Sequence, residues 1–363
     1  MKRTLLAAVL LLASPGADAH EIGTTQVRLT LHGDHTWSAA ITTAPQALVN
    51  KLEVEARLPR SSDLGDAALR AKFGELSTAL ARHVEVRFDG TPSPMSIAIA
   101  RLELPSDVTL PSFVVLLAKG PMPLEAHAVT WRYDLAYATY SLEFAAGETG
   151  SPSSVWLEGD EASPAFPVSG DIKPPTRAAI IGQYLSLGFL HIVPHGLDHI
   201  LFVLGLFLLT TRLRPILVQV TSFTVAHSVT LGLTMYGIVA VSASIVEPLI
   251  ALSVAYVAIE NITTSRLTPW RPAVVFAFGL LHGMGFADAL KELHLPREAF
   301  VPALISFNLG IELAQLAVIA AAFLAVAAWH REKSWYRPRF VVPGSAAIAA
   351  TGLFWTAQRI AGF

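Results

Sequence analysis

The sequence predicts a multi-domain chain: an N-terminal β-rich, sandwich-like periplasmic domain followed by an all-α polytopic membrane domain of about six transmembrane helices. Composition is the first observation behind this. Hydrophobic residues make up 53% of the chain and charged residues 15%, with a mean hydropathy of +0.50, more apolar than an ordinary soluble protein. The second is the uneven distribution: Arg28 to Lys173 mixes charge and polarity at globular levels, whereas Ala178 to Phe354 is a series of long apolar runs. The third is the start. Met1-Lys2-Arg3 precedes the apolar stretch Thr4 to Ala13, and Ala17-Asp18-Ala19 stands before His20, the layout of a cleaved signal peptide.

These observations divide the chain into a signal peptide (1–19), a periplasmic β-rich domain with a linker (20–175) and a transmembrane domain (176–363) of a bacterial inner-membrane protein. The chain has no cysteine, so disulfides and thiolate ligands are excluded and any metal must be held by nitrogen or oxygen. A formal net charge of -2 without a basic cluster gives no footprint for nucleic acid.

Within the first domain, Thr25 to Leu31, Val84 to Phe88 before Asp89-Gly90, Ser96 to Leu104 and Ala128 to Phe144 alternate apolar and polar residues and predict strands. Leu64 to Arg82, with Leu69, Phe73, Leu76 and Leu80 at helical spacing, predicts the one helix there. Pro152 to Pro175 reads as strand ends and a linker. Cleavage after Ala19 leaves His20 with both an amine and an imidazole; with His32 and His35 it forms a periplasmic candidate set for a copper-type chelate.

Windows of about 20 residues place spans near 180–210, 215–239, 246–264, 272–290, 301–328 and 340–358. Arg212 and Arg214, Arg266 and Arg271, and then Arg331, Lys333, Arg337 and Arg339 fall in the loops after the first, third and fifth spans. Those loops are cytoplasmic by the positive-inside rule, so the N-terminal domain lies in the periplasm, as the signal peptide also requires.

The spans carry polar residues that lipid does not tolerate without a reason. His191, His195 and His199 stand at i, i+4 and i+8 with Asp198 beside them, one side of a single helix unless Pro194 and Gly196 break it. His227, His282 and Glu312 fall at a similar depth to His199, and together these seven residues are the candidate metal ligands. Glu260, Asp288 and Asn308 are candidate relay or coupling residues. A carboxylate at mid-membrane costs roughly 2.5–3.5 kcal/mol, so Asp198, Glu260 and Glu312 ask for roughly 8–10 kcal/mol of compensation. A bound dication supplies it, and imidazole with carboxylate and no sulfur suits Ni²⁺, Co²⁺ or Zn²⁺ better than Cu⁺, with Cu²⁺ a further candidate. Gly279 and Gly283 have the small-xxx-small spacing of a close helix contact.

Gly188-Phe189-Leu190-His191-Ile192, Gly196-Leu197-Asp198-His199, Phe223-Thr224-Val225-Ala226-His227-Ser228, Gly279-Leu280-Leu281-His282-Gly283-Met284-Gly285-Phe286-Ala287 and Phe307-Asn308-Leu309-Gly310-Ile311-Glu312, in that order, resemble the HupE/UreJ family, in a branch with an N-terminal periplasmic domain. The resemblance implies a nickel or cobalt secondary permease whose first-span His and Asp-His select the metal, and not an enzyme. Its expected partners are the bilayer, the metal ion and a periplasmic metal carrier or protein. No G-x-x-x-x-G-K-[ST] loop is present to hold a nucleotide. Two other functions stay open on the residues alone: an intramembrane metal-dependent enzyme, although no H-E-x-x-H is present, and a sensor or assembly scaffold.

Overall fold

The computed structural model describes residues 25–61, 64–104, 112–136, 139–147, 153–169, 176–210, 212–239, 241–285, 297–327 and 333–361. The signal segment, His20 and Asp288 lie outside them. The chain divides into a β-rich unit and a helical unit.

In the β-rich unit, period-two burial makes the strands. Strand β1 (Gln26–Leu31) turns Val27, Leu29 and Leu31 inward, and β2 (Thr36–Thr43) does the same with Trp37, Ala39 and Ile41. The remaining strands are β3 (Val84–Phe88), β4 (Thr91–Pro92), β5 (Ser96–Glu103), β6 (Phe113–Pro121), β7 (Ala128–Tyr133), β8 (Thr139–Ala146), β9 (Ser153–Glu158) and β10 (Phe166–Pro167). They form a six-stranded sheet in the order β5-β6-β2-β1-β8-β9 and a four-stranded one in the order β10-β7-β3-β4. All pairings are antiparallel except β1 with β8. Residues of both sheets share one core, with Trp37, Trp131, Tyr133, Tyr140 and Phe144 fully buried, as in a sandwich.

Two helices complete this core, where the sequence pattern predicts one. Helix α2 (Asp66–Ala81) buries the expected Leu69, Phe73, Leu76 and Leu80. The other, α1 (Pro45–Glu55), begins on a proline, which is suited to the first helical position, and buries only Leu48, Val49 and Leu52 of its apolar residues beyond it. So short a stripe is hard to separate from a loop in sequence. The stretch from 152 onward, expected as strand ends and a linker, contributes β9 and β10, short strands at sheet edges.

The helical unit comprises α3 (Arg177–Ile192), α4 (Leu197–Leu209), α5 (Leu213–Met235), α6 (Ala243–Thr263), α7 (Arg271–Gly285), α8 (Arg297–Ala322), which runs on as a π turn over Phe323–Ala327, and α9 (Val342–Ala361), which a π turn over Arg337–Val341 introduces. Four stretches are long and apolar enough to cross a membrane: Leu213–Met235, Ala243–Thr263, Phe300–Val326 and Arg337–Ala361. A fifth is the pair α3 and α4, bent by 71°. Helix α7 is described over 15 residues, too few to count by length. Glycine sets the closest approaches. A Cβ on Gly188 of α3 would collide with Phe307 O of α8, and one on Gly310 of α8 with Leu185 O of α3. At Gly279 of α7 a Cβ would stand 2.6 Å from Phe223 O of α5, so the expected close contact at that spacing is present.

One polar knot in the β-rich unit makes its stability acid-sensitive. The Glu53 carboxylate is fully buried and receives Ser61 N–H and Ser61 Oγ–H at 2.6 Å each, with Lys72 Nζ at 3.3 Å. Burial pushes its carboxyl up, but the Ser61 hydrogen bonds and the Lys72 ammonium outweigh that and hold it below the ordinary value of 4.5. With the folded value lowered, the contribution is present above the unfolded value and is lost as pH falls through the folded one. Ser61→Ala is expected to cost about 1–3 kcal/mol at neutral pH, and the gap from wild type to narrow once Glu53 is protonated. Hydrogen exchange of the α1 amides in the full chain against pH measures this; a gap independent of pH would refute it.

Candidate metal site

The first apolar run does not continue as one helix. Pro194 lacks an N–H and clashes with a preceding turn, and α3 stops at Ile192. At Gly196 the chain folds back so tightly that a Cβ would collide with His191 O. Helix α4 then restarts at Leu197 in a new direction. The fold-back brings His191, at the end of α3, beside His199, in the first turn of α4, with ring centroids 4.8 Å apart. His227 of α5 completes the group, its ring centroid 6.3 Å from each of the other two. One ring nitrogen from each lies within 4.8 Å of the others, the spacing of a metal-ligating trio. All three are buried.

Hydrogen bonds decide which nitrogen of two of these rings faces the centre. Asn308 of α8 donates through Nδ2 to Leu304 O at 2.8 Å, which fixes its amide so that Oδ1 meets His227 Nδ1 at 3.2 Å. His227 Nδ1 therefore carries the hydrogen and Nε2 the lone pair, and Nε2 is buried with no hydrogen-bond partner among the described residues. Asp198, fully buried, accepts the His199 backbone N–H at 2.8 Å and lies 3.0 Å from His199 Nδ1. That turns the His199 Nε2 lone pair toward His282 Nδ1, 3.2 Å away. Ser253 of α6, which donates to Ile250 O at 2.7 Å, is hydrogen-bonded to His282 Nε2 at 3.1 Å, so His282 bridges α6 and His199. Phe202, Phe223 and Phe307, all fully buried, wall the rings in.

Thus the structure gathers His191, Asp198, His199, His227 and His282, with Asn308 behind His227. It does not gather the other expected ligands. His195 sits in the break between α3 and α4, half-buried and outside the trio; the helical register that would have aligned it with His191 and His199 does not exist. Glu312 accepts Thr221 Oγ1 at 3.0 Å and Thr224 Oγ1 at 2.5 Å. Glu260 lies 2.8 Å from Arg271 Nη1. In the β-rich unit, His32 Nε2 is 2.8 Å from Ser38 Oγ, and His35 occupies an exposed turn at φ 59°; neither joins a ligand trio among the described residues.

The sequence pattern missed the residues that orient the ligands. Ser253 was legible only as a polar residue in an apolar span, and the phenylalanine wall is indistinguishable in sequence from lipid-facing phenylalanine. Arg271 was legible as a loop charge, yet it is 1% exposed.

Residues 171–359 match the family model of the HupE / UreJ protein, just over half of the 363-residue chain. The chain belongs to the HupE/UreJ family. With its apolar spans this makes it a membrane protein. No curated protein matches the chain, and no solved structure does. The histidines and Asp198 all lie on the portion that the HupE/UreJ model covers.

If Asn308 sets the His227 tautomer, Asn308→Leu weakens binding of Ni²⁺ or Co²⁺ by about 10–100-fold while the purified protein keeps its helix content. Titration calorimetry with circular dichroism checks this; unchanged affinity would dismiss the orienting role.

Proposed function

We propose that this HupE/UreJ protein is a secondary permease for a divalent transition metal, nickel or cobalt, which it takes up through the His191, His199 and His227 site with Asp198 as the countercharge. The observation that carries the reading is the trio of imidazoles converging in a buried, phenylalanine-walled interior, with the His227 Nε2 lone pair left over by the bond to Asn308. Three imidazoles carry no charge, so one carboxylate and a dication leave a single net positive charge where the empty site has a negative one. Nitrogen donors with one carboxylate and no sulfur disfavour Cu⁺ on one side and Mg²⁺ or Ca²⁺ on the other. The same donors would hold Zn²⁺, and the family is what favours nickel or cobalt. The broken first span supports transport too, because non-helical backbone at membrane depth is tolerated where it lines a cavity or binding site.

In this reading the protein sits in the bacterial inner membrane behind a cleaved signal peptide. Its β-rich unit, residues 20–175, is periplasmic and meets the metal or its carrier, and the permease unit runs from 176 to 363. An intramembrane metalloenzyme is the less favoured alternative. The two carboxylates that would serve it as a base are already engaged, Glu260 with Arg271 and Glu312 with Thr221 and Thr224.

Uptake by the purified protein in liposomes, for Ni²⁺, Co²⁺, Zn²⁺ and Cu²⁺ in turn, tests the proposal. Wild type is expected to carry one or two of these ions, and Asp198→Asn and His199→Ala to lose more than about 100-fold of that uptake. Stable binding without flux would overturn the permease reading, and no binding at all would overturn the metal site.

A further inference from the structure

The second buried polar cluster of the helical unit has no histidine in it. Arg271, the first residue of α7, is almost completely enclosed. Its Nε donates to Gln219 Oε1 of α5 at 2.9 Å, its Nη2 to Asn261 Oδ1 of α6 at 3.2 Å, and its Nη1 lies 2.8 Å from Glu260 Oε2, an ion pair not aligned as a hydrogen bond. Asn261, itself fully buried, passes the connection on by donating to Gly205 O of α4 at 2.7 Å. Arg337 then closes the end of α6, donating through Nη2 to the carbonyls of Asn261, Ile262 and Thr264 at 3.1, 3.3 and 2.8 Å. Four helices and the segment leading into α9 are joined at one level.

That level is separated from the histidines. Along the helices, Gln219 is about 12 Å from His227 and Gly205 about 9 Å from His199, both toward the helix ends and loops that carry Arg212, Arg214 and Arg266. Between the two levels Phe202, Val220, Phe223, Val257, Ala258 and Val275, all buried at 1% exposure or less, make an apolar layer on α4, α5, α6 and α7, while on the α8 side of α5 Thr224 donates to Glu312 and Gln315. A hydrated dication cannot cross such a layer while it stays packed, and an enclosed ion pair is a poor choice if packing alone were wanted, since apolar residues of similar size often hold a core as well or better.

We propose that Arg271, with Glu260, Gln219 and Asn261, forms the inner gate of the metal path, a clasp at the basic-loop end that holds α4, α5, α6 and α7 together and opens for the ion to leave the histidine site. The proposal rests on the permease reading. Polar contacts suit a gate because each partner exchanges its bond for one with water when the helices part, whereas the apolar layer behind it supplies the seal. Glu260 on this view is a latch, and it does not touch the metal.

Because the chain has no cysteine, a single Ala258→Cys in the apolar layer reports opening. The full-length protein in proteoliposomes of known orientation is treated with a membrane-impermeant maleimide from the basic-loop side, and Ni²⁺ binding and Ni²⁺ flux are measured on the same preparations. With the clasp intact, labelling is slow. In the Ala258→Cys background, Glu260→Gln/Arg271→Gln, which removes both charges, is expected to raise the labelling rate at least about tenfold and leave Ni²⁺ affinity unchanged. Gln219→Leu, which keeps both charges, is expected to move it in the same direction and serves if the double variant does not fold. Labelling that is already fast with the clasp intact, or that stays slow in the folded variants, overturns the gate. Absence of Ni²⁺ binding in wild type overturns the permease reading, a result read separately from labelling.

Discussion

The helical unit depends on the break at 193–196. On a continuous helix His191 and His199 would be about 12 Å apart along the axis, too far to share an ion. The fold-back at Gly196 brings their rings to 4.8 Å. Once these two are together, the rest is placement: α5 needs only to offer His227 to the same point and α8 to set Asn308 behind it. The tight contact at Gly188 and Gly310 fixes α8 against α3, the helix that ends in His191, so the two glycines position the site although neither contributes an atom to it.

The same constraint explains why the site is built from oriented groups. At a buried site, an imidazole nitrogen is stable as a donor with an acceptor or as a lone pair with a use. Asn308 and Asp198 take the hydrogens of His227 and His199. What is left faces inward. Asp198 is consistent with this arrangement twice over: it accepts a backbone N–H in the first turn of α4, where the helix dipole favours an anion, and it provides the charge that makes a dication welcome at a depth where charge is otherwise costly.

The broad architecture was legible because its signals are long. Alternation over β1 and β3, the α2 stripe and the apolar runs each extend over enough residues to state a period, and the two units follow from them. The candidate site was legible in composition and only partly in geometry. Histidine and aspartate stand out in an apolar run wherever they are, but a helical projection assigned His195 to a face that ceases to exist at Pro194. Glu312 shares a depth with the histidines and still turns to Thr221 and Thr224, since depth along a helix says nothing of which neighbour the side chain meets. Arg271 misled in the opposite sense, because a basic residue at a span boundary looks like a surface charge until the partners that enclose it are known.

The two polar clusters differ in what they leave over. Around Arg271 each of the three guanidinium nitrogens has a neighbour, Asn261 is satisfied in both directions by Arg271 and Gly205, and the guanidinium charge offsets that of Glu260. At the histidine site, the hydrogen bond to Asn308 leaves the buried His227 Nε2 lone pair over. A carboxylate near a metal path is easily taken for a ligand or a proton carrier, and by residue type Glu260 and Asp198 are equivalent in that respect. Their neighbours separate them: Asp198 stands against an imidazole of the histidine trio, Glu260 against a guanidinium that already neutralises it. For Glu260 to act on the ion directly, Arg271 would first have to leave, and that is the motion a gate makes.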